Sequence, residues 1–402
     1  MPPHNFPLLL SIEGTKIKIK KHRLRSVLLS KEGGTGVKKE ENSAVRLPDC
    51  EPLLAWYRSN ARDLPWRHTR DPYRIWVSEI MLQQTRVEAV IPYYHRFLSA
   101  LPNVAALADA PEEQLLKLWE GLGYYSRVRN MQKAAKSIMS QYGGVFPQEY
   151  EQILSLCGVG EYTAGAIGSF AFDLAVPAVD GNVLRVAARL GACGEDILAP
   201  ATKRKLTAAV AAVQPSAHAA EFNQAMIELG ATVCLPNGVP KCDICPLRDG
   251  CAAYAEGLVD VLPVRRAAAP RRKEEKTVVI LRAGDCVALR RRPANGLLAG
   301  LFEPLCLAGK LTPEQMRAHL AAAGITPLYL SPLEEAKHIF THIEWHMVGY
   351  EVILQTEIAP AVLEMPRADP KSASEPCFFA PREEIDEKYA VPTAFRAYRP
   401  YM

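Results

Sequence analysis

Four cysteines fall within eighteen residues, Cys234, Cys242, Cys245 and Cys251, spaced Cys-x7-Cys-x2-Cys-x5-Cys. Thiolates this close suit a [4Fe–4S] cluster and also tetrahedral zinc. Zinc ribbons usually carry two separated Cys-x2-Cys knuckles, and this stretch has one, so the spacing favours iron–sulfur. A loop ordered in this way presents Lys241 and Arg248 to phosphates without any need for redox chemistry. Six more cysteines, Cys50, Cys157, Cys193, Cys286, Cys306 and Cys377, are scattered. No hydrophobic leader with a cleavage site is seen, which predicts a reducing interior and no disulfides.

Two carboxylates stand out. Glu79 lies in an apolar stretch with Gln83 four residues on, which predicts that both share one helix face. A carboxylate beside amides on such a helix implies a polar pocket; a solvated helix surface reads the same way. Asp180 follows twenty residues after the turn made by Gly158, Val159 and Gly160 and comes after a break at Pro177. Glycines permit a tight turn, and the next helix begins there with free N–H groups able to hold a phosphate. A plain helical hairpin fits that turn equally, and Asp180 could simply cap a helix.

The elements that must position these groups are mostly helical over residues 50–257. Segments 113–120 and 130–141 carry apolar residues at three-to-four spacing, with Gly143, Gly144, Pro147, Gly158, Gly160 and Pro177 between helices. Residues 258–276 lose that periodicity and read as a basic linker containing Pro263, Arg265, Arg266, Pro270, Arg271, Arg272 and Lys273. Beyond it, 277–281, 286–289 and 350–354 read as strands and 312–323 as a helix, an α+β domain. The 402 residues accommodate two domains plus extensions. Net charge is +4 overall, yet residues 1–48 hold ten Lys or Arg against four Glu, so the remainder is slightly negative. Any nucleic-acid site must therefore be a local patch. The basic run from Lys16 to Arg25 reads as a disordered start, a DNA-tethering arm or a weak presequence. No apolar run long enough for a bilayer span occurs.

The order of glycine turn, Asp180 and four cysteines resembles the helix-hairpin-helix glycosylases of the endonuclease III superfamily. Leu64-Pro65-Trp66-Arg67, followed by Trp76 to Thr85 with Glu79, Leu82, Gln83 and Gln84, closely resembles the MutY adenine glycosylases within it. The resemblance spans residues 50–400 and implies a multidomain chain. A basic extension (1–48) precedes an all-α helix-hairpin-helix glycosylase domain (49–233) and an iron–sulfur loop (234–257). The linker (258–276) then leads to an α+β Nudix-like domain (277–402). The first cysteine gap departs from the family's usual six residues by one, a change of small closure cost.

By the same resemblance, the chain removes adenine opposite 8-oxoguanine or G in double-stranded DNA. Glu79 is the general acid and Asp180 stabilises the sugar cation. Tyr162 stands where strand-cutting relatives carry a lysine, which implies a monofunctional enzyme, and Asn182 matches a further active-site position. Trp66, Arg67, Leu82, Gln84 and Gln224 match the adenine pocket, although some relatives carry Glu in place of Gln224. Gln83, Gly158 and Gly160 match DNA contacts, and Tyr124, in the loop from Gly121 to Arg127, matches a tyrosine that wedges into the duplex; core packing is its ordinary alternative. Phe340-Thr341-His342 resembles the Phe-Ser-His loop that inspects 8-oxoguanine, with Thr keeping the hydroxyl. Nudix hydrolysis is not expected, since between Pro304 and Gly324 the only acid is Glu314. The alternatives are a thymine glycosylase for G·T mismatches, which usually lacks a second domain; a lesion-binding protein, which would need neither Glu79 nor Asp180; and a nucleotide-pool hydrolase. A monomer is expected, in the bacterial cytoplasm or the eukaryotic nucleus or mitochondrion, and no protein-partner motif is evident.

Overall fold

The structure, a computed structural model, describes residues 45–266, 270–355 and 376–402. The basic run at 16–25 and the rest of the first 44 residues lie outside them, as do linker positions 267–269. The chain folds as two compact units that interleave in sequence. Among the described residues, 45–70 group with 160–266, and 71–159 group with 270–355 and 376–402.

The first unit is helical, built on Glu51–Asn60, Glu161–Phe172, Gly181–Leu190, Pro200–Val213 and Ala219–Thr232. Leu53, Val186, Leu190, Phe222, Met226 and Leu229 share its main core. Part of the stretch read as linker belongs to this unit: Leu258 and Leu262 pack with Ala253, and the Val264 carbonyl accepts from the Ile197 N–H at 3.1 Å. Three buried or half-buried apolar residues among prolines and arginines show no regular period, so sequence pattern could not mark them as packed.

The second unit joins helices to a mixed sheet. The helices expected at 113–120 and 130–141 are Glu112–Leu118 and Ser126–Tyr142, and Pro72–Leu82 and Val87–Ala100 precede them. The strands are β1 (Arg272–Ala283), β2 (Cys286–Arg291), β3 (Phe302–Glu303), β4 (Leu305–Ala308), β5 (Tyr329–Ile339), β6 (Ile343–Leu354) and β7 (Phe378–Pro381). Their order is β3-β2-β1-β6-β5, with β4 against β1 and β7 against β2. Among the described strands only β1 and β6 pair in parallel, Thr277 opposite Val348. Val278 and Ile280 enter one core with Val287, Trp345 and Phe395, while Val279 and Leu281 enter another with Leu305, Leu320 and Val352. A strand covered on both faces reads as a continuous apolar run, which is why 277–281 was legible. Its first residues were not: β1 begins at Arg272, inside the stretch read as linker, because Arg272 to Lys276 pair with β6 through backbone while their side chains are charged. Pro313–Ala322 is the expected helix, opened by a capping box of Thr312 and Gln315.

Polar contacts tie this unit's helices to loops flanking its sheet. Lys117 Nζ donates to Tyr389 O at 3.1 Å, the Val391 N–H to Glu120 Oε1 at 3.1 Å, and Arg129 Nη2 to Ala299 O at 2.7 Å. Ile280 sits fully buried at the sheet's centre. Ile280→Ala should lower stability by about 2–5 kcal/mol, read as a lower denaturant midpoint at unchanged slope; a shift below about 1 kcal/mol would mean that this core relaxes around the cavity.

Candidate active site and thiol cluster

In the first unit Asp180 is both a cap and something more. Its Oδ1 accepts from the N–H groups of Asn182 and Val183, both at 2.8 Å, at the start of Gly181–Leu190. Its Oδ2 accepts from Asn182 Nδ2 at 2.7 Å. Burial pushes this half-buried carboxyl above its ordinary value, while those three donors and nearby Arg185 pull it back. Arg185 Nη2 donates to Asn182 Oδ1 at 3.0 Å and to Gly230 O at 2.7 Å, and its Nε donates to Cys234 O at 2.8 Å. Gly230 is required for this approach: a Cβ there would stand 2.7 Å from Asn182 Cβ.

Arg185 therefore links Asp180 and Asn182 to the first cysteine. Cys234, Cys242, Cys245 and Cys251 line one cavity with the buried Arg189. Arg189 Nη1 lies 3.2 Å from Cys234 Sγ and donates to Leu235 O at 2.9 Å. Burial and the neighbouring thiols raise Cys245 to about 11 and raise Cys242 and Cys251 in the same direction. Among the described residues no group of three His, Cys, Asp or Glu could hold a single metal ion; the four thiols instead surround a shared cavity. Between the first two cysteines, residues 236–239 are exposed. The ends of that stretch stay pinned, with the Cys234 N–H on Leu229 O at 2.7 Å and the Lys241 N–H on Val233 O at 3.0 Å.

On the same unit Arg67 and Gln224 line a cavity of about 270 Å³ together with Tyr57. Trp66 is buried on the short 3-10 turn Pro65–Arg67. Arg67 is held by Glu228, a fully buried carboxylate that sequence reading passed over. Glu228 accepts from Arg67 Nη2 at 2.6 Å and from Arg62 Nε and Nη2 at 2.7 and 2.9 Å. A glutamate four residues after Gln224 in the apolar run from Met226 to Gly230 was the available signal. Tyr162 is half-buried at the second position of Glu161–Phe172, whose first residue follows Gly160 with no side-chain cap.

In the second unit Glu79 is 5% exposed on Pro72–Leu82, so it does not belong to a solvated helix surface. Gln83, four residues after Glu79, is the C-cap of this helix, with helical φ −59° and extended ψ 110°. The chain leaves the helix after Gln83, and Gln84 is exposed with φ +60°. Arg127 braces this exit: its Nη1 donates to Ile80 O at 2.5 Å and Gln83 O at 2.8 Å, and its Nη2 donates to Leu122 O at 3.0 Å and Gly123 O at 3.1 Å. Burial lowers the Arg127 guanidinium to about 10. This one side chain satisfies carbonyls at the helix end and in the Gly121–Tyr124 loop at once.

Tyr124, next in that loop, is 48% exposed with φ +47°, so core packing is not its role. Its hydroxyl meets Thr341 Oγ1. Phe340, Thr341 and His342 form the tip joining β5 to β6, closed by the Phe340 N–H on Ile343 O at 2.8 Å. The Phe340 ring packs edge-on between His338 and Trp345, at 4.5 and 4.8 Å, while Thr341 and His342 are exposed. Linker arginines hold the tip: Arg271 Nε on Phe340 O at 3.1 Å and the Arg272 N–H on His342 O at 2.9 Å.

Residues 77–212 match the HhH-GPD superfamily base excision DNA repair protein family and residues 277–399 the NUDIX domain. The chain is similar to the adenine DNA glycosylase of Buchnera aphidicola subsp. Baizongia pistaciae, 35% identical over 308 residues, covering 76% of this chain and 86% of that protein. The adenine DNA glycosylase of Mus musculus is 36% identical, covering 79% of this chain and 72% of that one. That of Homo sapiens is 34% identical, covering 75% and 66%.

The two glycines of the turn make different demands. Gly158 has φ +79°, and a Cβ there would stand 2.7 Å from Asn130 Cβ, whereas Gly160 has an ordinary φ of −100° and open space around it. Gly158→Ala should destabilise by about 1 kcal/mol or more, and Gly160→Ala should leave the melting temperature within a degree or two. Equal losses in thermal melts would contradict this distinction.

Proposed function

The chain belongs to the adenine DNA glycosylases, and from that premise we propose that it hydrolyses the N-glycosidic bond of adenine opposite 8-oxoguanine or guanine in double-stranded DNA, leaving the strand intact. The observation that carries this reading is the burial of Glu79 on a helix whose end Arg127 joins to the Tyr124 loop. Neutral adenine leaves poorly, and protonation at N7 makes it a competent leaving group. A buried carboxyl favours its protonated form, as a general acid requires. Asp180 is the ionised partner of the sugar cation, supported by the three hydrogen bonds it accepts. Having given up its proton, Glu79 is the base that activates water. Asn182 orients Asp180, and Tyr162 offers no amine for a Schiff base.

The base must leave the stack to react. Trp66, Arg67, Leu82, Gln84 and Gln224 receive it, Tyr124 wedges into the duplex, and Gln83, Gly158 and Gly160 contact the DNA. The exposed Thr341 and His342, anchored by Phe340, read 8-oxoguanine as part of the domain spanning 277–402. Cys234, Cys242, Cys245 and Cys251 fit a [4Fe–4S] cluster: four thiols line one cavity, and burial with neighbouring thiols disfavours ionisation of Cys242, Cys245 and Cys251, which calls for a cationic centre. Arg189 and backbone N–H groups of Leu247, Ala253 and Tyr254 face the sulfurs. When bound, the cluster neutralises the thiolates and orders the loop that offers Lys241 and Arg248 to phosphates. No described helix is long and apolar enough to cross a membrane. The protein acts as a monomer wherever its DNA lies, in the bacterial cytoplasm or the eukaryotic nucleus or mitochondrion.

Glu79→Gln and Asp180→Asn should each cut single-turnover adenine excision by about 10²–10⁴-fold or more, with duplex affinity changed only a few-fold. Full activity in both would overturn the assignment. Asp180→Asn keeps a capping oxygen and removes a charge that burial disfavours. The raised Asp180 carboxyl costs the folded state stability at neutral pH, and that cost fades as the pH falls through the folded value toward the ordinary one. The variant's melting temperature at neutral pH should therefore match or exceed the parent's, with any gain shrinking toward about pH 4. A lower value at neutral pH would show that hydrogen bonds to the charged form outweigh its burial.

A further inference from the structure

An amide side chain is ambiguous: it can turn either its oxygen or its nitrogen toward a ligand, and only its other contacts decide which. At Gln224 the deciding contact is Tyr57, whose hydroxyl lies 2.5 Å from Gln224 Oε1. Both residues line the cavity of about 270 Å³ beside Arg67. Tyr57 is 8% exposed on Glu51–Asn60. Its ring lies under the Arg67 guanidinium, 5.4 Å from the centroid. Arg67 is fixed in turn by Glu228 at 2.6 Å and by Arg62 O at 2.8 Å. The Tyr57 ring has little freedom to turn away, and its hydroxyl has one direction. Burial raises its pKa, so it remains a proton donor at neutral pH. A phenol donates better than it accepts, because its oxygen lone pair is shared with the ring.

We propose that Tyr57 is a positioning residue for base selection: by donating to Gln224 Oε1 it commits the amide to offering its Nε2 donor to the cavity. A pocket with this wall selects a purine edge that presents a ring-nitrogen acceptor and disfavours one that presents N–H. The inference rests on the reading that Gln224 lines the adenine pocket. It adds a residue outside the adenine-pocket set, and it makes Gln224 a donor of fixed orientation.

The test is a double-mutant cycle in the full-length, cluster-loaded protein with Tyr57→Phe, Gln224→Met and the pair. The probe is a duplex bearing non-hydrolysable 2′-fluoro-adenosine opposite 8-oxoguanine, with melting temperatures recorded alongside dissociation constants. Tyr57→Phe removes one hydroxyl and should weaken binding about three- to tenfold at nearly unchanged melting temperature. In the Gln224→Met background no amide is left to orient, so Tyr57→Phe should add less than about twofold. An equal loss in both backgrounds, or a loss that tracks a lower melting temperature, would overturn the proposal in favour of a structural role. If Gln224→Met weakens binding while Tyr57→Phe does not, the role of Tyr57 alone fails. If Gln224→Met binds like the parent, the placement of Gln224 in the base pocket fails with it.

Discussion

The end of the Glu79 helix and the loop that carries Tyr124 depend on one guanidinium. Arg127 takes carbonyls from the end of the Glu79 helix and from the Leu122–Gly123 stretch of the neighbouring loop. Buried carbonyls left without donors cost about 1–3 kcal/mol each, so the helix end and the loop are held as one piece. Two consequences follow from that constraint. The chain can leave the helix at Gln83, which puts Gln84 in a left-handed turn. Tyr124, one residue beyond the anchored carbonyls, projects outward and reaches Thr341 on the β5–β6 tip. The helix that carries a buried acid and the loop that carries an exposed aromatic are thereby held together, and that aromatic in turn meets an exposed hydroxyl.

The first unit uses the same device three times. Arg185 joins the Asp180–Asn182 pair to Cys234, Arg189 joins the thiols to Leu235 and Leu262, and Glu228 gathers Arg62 and Arg67. Each is a charged group deep in a helical core, and each is satisfied by several partners, as burial of charge demands. Such networks order neighbouring groups more than they add net stability, because desolvation offsets much of the attraction. Their placement beside Asp180, the cysteines and Arg67 fits positioning.

Much of this was legible in the residues, and the parts that were not share a physical reason. Apolar periodicity marked the helices around 113–141, and the doubly covered run 277–281 announced the centre of the sheet. The charged start of β1 at Arg272 gave no such signal, because backbone pairing leaves no trace in side-chain pattern. Glu79, the Tyr124 loop and the Phe340-Thr341-His342 tip were visible as motifs. Arg127 stood in one of those motifs without an assigned task, and nothing in the sequence pattern set Tyr57 apart. What a side chain reaches across a fold depends on tertiary approach, as with Gly230 and Asn182, and spacing along the chain does not encode it.

The central claim concerns which base leaves. Four duplexes, carrying adenine opposite 8-oxoguanine, adenine opposite guanine, thymine opposite guanine, and a perfect match, should be incubated with the full-length protein and then treated with alkali. Strand breaks are expected at adenine in the first two, stronger opposite 8-oxoguanine, with none before alkali. Breaks confined to the thymine duplex would contradict the account, and so would breaks that need no alkali.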